Sequence, residues 1–79
     1  MKIEINLYAS LARYIPAGFP GKGREIDIPD GTKVSEVLEM LKVPDGAVKM
    51  IFVNGLHAKG DKVLKDGDRL GVFPPVAGG

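Results

Sequence analysis

Cysteine is absent from this 79-residue chain. No disulfide can staple it, no thiolate can ligate a metal, and an iron–sulfur cluster held by Cys is excluded. A chain without thiols suits a reducing compartment, and the expected location is cytoplasmic. A dominant charge is also lacking: 11 Lys and Arg stand against 10 Asp and Glu, a net charge of +1. Charges so evenly mixed leave no electrostatic footprint for nucleic acid. Nor is there a basic cluster beside an amphipathic helix that would suit a membrane surface. No apolar run approaches the roughly 18 residues of a membrane span. The opening MKIEINLY alternates polar and apolar residues, unlike the apolar block of a signal peptide. His57 is the single histidine, with no second ligand or nucleophile at a useful spacing, and reads as a solvated edge residue. The chain therefore carries no catalytic constellation and no metal site of its own.

What is present is periodic. A chain of this length makes one domain, and it buries only about 60% of the surface its unfolded form exposes, so the core must pack efficiently. Lys2 to Tyr8 has period 2, with Ile3, Ile5 and Leu7 on one face: a half-buried strand. Leu11, Tyr14 and Ile15 suit a short helical turn before Pro16, and Ala17 to Gly23 holds three glycines and a proline, which predicts a loop. Glu25 to Ile28 alternates again and predicts a second strand, antiparallel to the first. After the turn Pro29-Asp30-Gly31, Val34, Val37, Leu38 and Leu41 form one apolar stripe. A helix of about three turns is expected from Lys33 to Lys42, N-capped by the Thr32 hydroxyl and stopped by Pro44.

Lys49 to Val53 is the most apolar run and ends at Asn54-Gly55, the strongest short hairpin signal. Leu56 to Ala58 is the returning strand. Lys59 to Lys65 is a connector with Val63 and Leu64 packed back, Asp66-Gly67-Asp68 a turn, and Arg69 to Phe73 a last strand with Leu70 and Val72 inward. These elements predict an α+β domain over about residues 1–75: a mixed sheet of four to five strands with one main helix across one face. The core is expected from the helix stripe with Ile3, Ile5, Leu7, Ile26, Ile28, Ile51, Val53, Leu70 and Val72. Residues 76–79 are expected to form a flexible tail.

Two other motifs have structural accounts. Gly18 to Arg24 (GFPGKGR) lacks the Gly-Lys-Ser/Thr ending of a phosphate loop and its strand-to-helix setting. Asp66 and Asp68 flank a glycine, and a turn explains them without a carboxylate pair. The ending Phe73-Pro74-Pro75-Val76-Ala77-Gly78-Gly79 is different. At a glycine frequency of about 7%, a terminal diglycine arises by chance in roughly one chain in 200. Glycine lets a backbone thread a narrow channel, and the proline pair stiffens the exit from the domain.

With its strand-strand-helix-strand-strand layout and this ending, the chain resembles ubiquitin and its β-grasp relatives. It is most similar to the sulfur-carrier family that includes the small subunit of molybdopterin synthase and the sulfur carrier of thiamine biosynthesis. The residues that carry the resemblance are Asp66-Gly67-Asp68, Arg69 to Phe73 and the tail, with Leu7 to Arg13 and Val53-Asn54-Gly55 in support. The proline pair looks more like the molybdopterin synthase subunit. The resemblance implies that the Gly79 carboxylate is adenylated and becomes a thiocarboxylate, with Gly78, Ala77 and Val76 as the threading tail. It implies a ubiquitin-activating-type adenylating enzyme as partner, which uses the ATP while this chain binds no cofactor. It further implies a molybdopterin synthase large subunit, or another sulfur-accepting synthase. The chain itself would be a sulfur-donating subunit and not an enzyme. Delivery to a thiamine thiazole, attachment to protein lysines and an inert interaction module are the alternatives.

Strand parity places Phe73 on the face away from the helix. If Ile51 and Val53 point inward, Phe52 joins it there; the other inward row is Val48, Met50 and Phe52. Two aromatic side chains on a polar face beside Pro74 and Pro75 are expected to bind a partner.

Overall fold

A computed structural model describes residues 1–14 and 25–75. Five strands form one mixed sheet: β1 (Lys2–Leu7), β2 (Glu25–Asp27), β3 (Met50–Val53), β4 (Leu56–Ala58) and β5 (Arg69–Phe73). Their order across the sheet is β2-β1-β5-β3-β4. Only β1 and β5 run parallel, with Ile5 beside Leu70 and Leu7 beside Val72; the β1–β2, β3–β4 and β3–β5 pairs are antiparallel. This is the expected ubiquitin-like β-grasp architecture. A 3₁₀ helix (Ala9–Tyr14) follows β1, the helix α1 (Val34–Met40) separates β2 from β3, and a 3₁₀ turn (Asp45–Ala47) precedes β3. The loop expected at residues 17–23 and the tail at 76–79 lie outside the described residues.

The period-2 rows enter the core as expected. Ile3, Ile5, Leu7, Leu70 and Val72 are buried on one sheet face together with Val34, Val37 and Leu38 of α1. Val53 is buried and Phe52 is not, which selects the Ile51–Val53 row over Val48–Met50–Phe52. Ile26, Ile51 and Leu41 pack only partly against the core. Val43, absent from the expected core, is fully part of it. Val63 is exposed, contrary to expectation, and Leu64 alone turns inward. The reason is strand-like parity: Lys33 and Val63 form an isolated bridge, and neighbouring side chains on an extended segment point to opposite sides.

The helix differs from expectation at both ends. Thr32 is not its cap: the Thr32 hydroxyl donates to the Pro29 carbonyl at 2.6 Å, closing the turn through Gly31, whose φ is +84°. Lys33 holds the cap position, and the Glu36 carboxylate accepts its backbone N–H at 2.8 Å. A lysine ammonium has no lone pair to return the bond, so the next amides find other acceptors: Val34 N–H donates to the Lys62 carbonyl and Ser35 N–H to that of Gly60. The connector after β4 is thereby tied to the start of the helix.

At the other end α1 stops after seven residues, two turns instead of three. Pro44 is not the cause. Lys42 adopts φ +61°, and the chain reverses with Lys42 N–H donating to Glu39 and Val43 N–H to Leu38. This paired closure is a Schellman motif, and its usual apolar contact is supplied by buried Val43 and Leu38. Burial of Val43 holds a lysine in a conformation better suited to glycine.

Two outcomes test this packing by urea denaturation. Leu38→Ala removes a buried side chain facing the sheet and is expected to cost about 2–5 kcal/mol, which approaches the whole stability of a small domain. Lys42→Gly relieves the left-handed residue and is expected to stabilise the fold by about 0.5–1 kcal/mol.

Candidate partner-docking face

The outer face of the sheet is where the expected site residues meet. Phe73 follows the inward residues Leu70 and Val72 at odd parity and so projects outward from β5. Register then decides its neighbours. In β3, Met50 lies beside Phe73 and Phe52 beside Gly71, which brings the Phe52 ring edge-on to Phe73 at 5.7 Å and 87°. On the other side the parallel ladder ends with Tyr8 N–H donating to the Val72 carbonyl at 3.1 Å. The Tyr8 ring consequently stacks on Phe73, with centroids 4.3 Å apart and planes 4° from parallel. His57, opposite Phe52 on β4, extends the row edge-on at 5.7 Å. Tyr8, Phe73, Phe52 and His57 thus make a continuous aromatic band across four strands. Offset-stacked and edge-to-face pairs are the favourable aromatic geometries, so the band is held by its own contacts.

A groove of about 560 Å³ adjoins the band, lined by Phe52, Phe73, Met50, Pro74 and Pro75 together with Ala9, Ser10 and Lys49. Lys49 N–H donates to the Phe73 carbonyl at 2.8 Å, fixing the end of β5 where the prolines begin. Neither proline carries an N–H to continue a ladder, so the chain leaves the sheet there. Phe52, Phe73, Pro74 and Pro75, all expected in the site, are therefore together on one surface. Val76, Ala77, Gly78 and Gly79 lie outside the described residues. Tyr8 and Met50 were not expected in the site: Tyr8 is 44% exposed and Met50 40%. An aromatic residue of outward parity at the end of β1 was the available signal for Tyr8, but its link to Phe73 depends on a parallel partner distant in sequence.

The turn aspartates serve the fold. Asp66 accepts the Lys2 backbone N–H at 2.8 Å. Asp68 is buried, and its two carboxylate oxygens accept from Asn54 Nδ2 at 2.9 Å and Lys65 N–H at 2.8 Å. Asn54 Oδ1 in turn accepts from Arg69 N–H at 2.9 Å. The β3–β4 turn is thereby pinned to the start of β5, which keeps β5 in register beneath the aromatic band.

Comparison with known proteins accords with this geometry. Residues 9–79 match the model of the ThiS family. Among solved structures, a Pyrococcus furiosus protein described as a candidate molybdopterin converting factor subunit 1 is 30% identical, with 95% of this chain and 98% of that one covered and a TM-score of 0.68. A subunit 1–subunit 2 complex of the molybdopterin-converting factor from Helicobacter pylori 26695 matches at 25% identity, with both chains fully covered and a TM-score of 0.55. The Haloferax volcanii protein SAMP1 shares the fold at 23% identity, with a TM-score of 0.71 over the full length of both chains. A search of curated proteins finds no match.

The face yields a stability outcome. Because Phe73 stacks on Tyr8 and abuts Phe52, Phe73→Ala is expected to lower stability by about 1 kcal/mol or somewhat more, a larger effect than an isolated exposed aromatic would give. Chemical denaturation measures it, and the same loss in Tyr8→Ala, without further loss in the double variant, identifies the stack as its source.

Proposed function

Because the chain belongs to the ThiS family of ubiquitin-like sulfur carriers, we propose that its reacting group is the Gly79 carboxylate and that the aromatic face holds the domain against the enzyme that activates it. A carboxylate oxygen attacks the α-phosphorus of ATP bound by an adenylating enzyme, and pyrophosphate leaves. Sulfur at the sulfide level then attacks the carbonyl of the acyl-adenylate, AMP leaves, and a thiocarboxylate remains. This chain contributes the acyl group and the docking surface, and the ATP belongs to its partner.

The observation that carries this reading is the exit of the chain from β5. Phe73 and the proline pair share a groove with Phe52 and Met50, so a partner that covers this groove sits at Pro75, with only two residues in sequence, Val76 and Ala77, before Gly78-Gly79. Two glycines can pass a channel that excludes Cβ atoms.

The acceptor we propose is a pterin precursor, converted to its dithiolene by a synthase large subunit in the cytoplasm. Support comes from the Phe73-Pro74-Pro75 ending and from the 30% identical candidate converting-factor subunit. The Helicobacter complex, in which a 25% identical chain is paired with a second subunit, supports a partner of this kind.

Incubation with ATP, the adenylating enzyme of the same organism and a sulfur source is expected to add the mass difference between one sulfur and one oxygen, localised by fragmentation to Gly79. Deleting Gly79, or adding residues after it, is expected to abolish the change while circular dichroism stays that of the folded protein. Gly78→Val places a β-branched side chain in the channel and is expected to suppress adenylation while binding persists. If the extended protein, unprocessed, still supplies sulfur to a reconstituted pterin synthase, the terminal-carboxylate mechanism is wrong. If labelled sulfur reaches a thiazole and not a pterin, the carrier chemistry stands and the acceptor is reassigned.

A further inference from the structure

β4 (Leu56–Ala58) is an edge of the sheet, paired only with β3. Val53 and Leu56 flank the two-residue turn Asn54-Gly55, and the pair that closes such a turn is hydrogen-bonded. Bonded and non-bonded pairs alternate along an antiparallel ladder, so Ile51 and Ala58 are bonded while Phe52 and His57 are not. The His57 N–H and C=O consequently point away from β3. Among the described residues neither forms a backbone bond outside the sheet. An edge with an open donor and acceptor is a template for another extended chain.

Beside this edge lies a groove of about 460 Å³, lined by Val53, Leu56 and Ala58 together with Lys59, Lys62 and Lys65. Leu56 is 74% exposed, more than any other large apolar side chain among the described residues. Opposing charge is scarce. Asp68 shares the lining, but its carboxylate oxygens already accept from Asn54 Nδ2 and Lys65 N–H. Asp61 is the one other acidic residue there, and among the described residues none of the three lysines forms a salt bridge. Lysines beside a short edge strand commonly guard it against unwanted pairing. A guard alone leaves Leu56 unexplained, because an exposed leucine next to open backbone groups favours the pairing that a guard prevents.

We propose that the β4 edge takes an extended segment of a partner protein that carries both apolar and acidic residues. In strand addition, main-chain bonds supply affinity and side chains supply selection. Two bonds exchanged with His57 lay the segment alongside β4, its apolar residues meet Leu56 and Val53, and its carboxylates reach Lys59, Lys62 and Lys65. Charge sets the occupant: three unpaired ammonium groups repel a basic segment and attract an acidic one. The open backbone groups and the apolar lining favour a peptide over a bare polyanion, which uses neither. This groove shares no residue with the one at the exit of β5, so a segment bound here leaves Phe73 and the prolines uncovered. Nothing in this pairing depends on the chemistry at Gly79.

The probe is a short capped peptide of alternating glutamate and leucine, titrated into isotopically labelled protein and followed by NMR. Binding is expected with a dissociation constant of about 0.1–1 mM. The His57 amide is expected to shift and to gain protection from hydrogen exchange. The Leu56 and Ala58 amides, already bonded to β3, are expected to keep the protection they have, and Met50 and Phe73 are expected not to shift. Lys62, Lys65 and Leu56 are all exposed, so Lys62→Glu with Lys65→Glu, and separately Leu56→Ser, are expected to fold normally by circular dichroism. Each is expected to weaken the peptide about tenfold, and the effect of the charge reversal is expected to shrink as salt rises from about 0.05 to 0.5 M. If a lysine–leucine peptide binds as well, or a thymidine oligonucleotide binds the same lysines more tightly, the acidic segment is the wrong occupant. If the peptide shifts Met50 and Phe73 and leaves His57 unchanged, or shifts nothing, the β4 site is wrong. If the His57 amide responds to protein concentration alone, the occupant is a second copy and the proposal is overturned.

Discussion

Side-by-side pairing of β1 with β5 joins the first strand of the chain to the last, Ile5 beside Leu70 and Leu7 beside Val72. These residues are almost wholly removed from water, and each such side chain contributes about 1.5–3 kcal/mol relative to exposure. The cost is the entropy of closing a loop that spans most of the chain, which rises only slowly with length. Without this ladder, β2 and β1 would be a hairpin on one side, β3 and β4 a hairpin on the other, and the helix would have no continuous surface to cover. Isolated two-stranded hairpins are marginal in water. The central parallel pair turns two weak units into one sheet.

The same pairing makes the outer face. A strand shows its alternate side chains to opposite sides, so β5 contributes Leu70 and Val72 to the core and Gly71 and Phe73 to the surface. Tyr8 reaches Phe73 only because the parallel register carries β1 one residue past Leu7. The core and the exposed aromatic band are consequently built from alternate residues of one strand. Changes at Gly71 and Phe73 therefore leave the packing of Leu70 and Val72 largely untouched, and the Tyr8–Phe73 stack lies wholly on the outer face. Polar contacts keep this arrangement in place: the Asn54–Asp68 link holds the start of β5, and Lys49 holds its end.

Much of this was legible in the residues. Alternation in Lys2–Leu7, Glu25–Ile28 and Arg69–Phe73, the stripe Val34–Val37–Leu38 and the Asn54-Gly55 turn each report local geometry, because burial of one face imposes a period of 2 or about 3.6. Asn54 and Gly55 both have positive φ, as the tightest hairpin turn requires. The helix ends were less legible. Thr32 is of a type that caps helices, but its hydroxyl is engaged by the Pro29 carbonyl instead. Lys42 gave no sign of a left-handed conformation, since burial of Val43 against Leu38 imposes it from outside the local sequence.

Local periodicity and residue chemistry specify the strands, the place of the helix, the inward rows and the Phe-Pro-Pro-Val-Ala-Gly-Gly ending. Only the assembled sheet settles that Tyr8 stacks on Phe73, that Phe52 faces outward, and that Val63 is exposed while Val43 is buried. These are relations between strands. Pairing across the β1–β5 ladder sets them, and no pattern within a single segment records which distant strand will lie alongside.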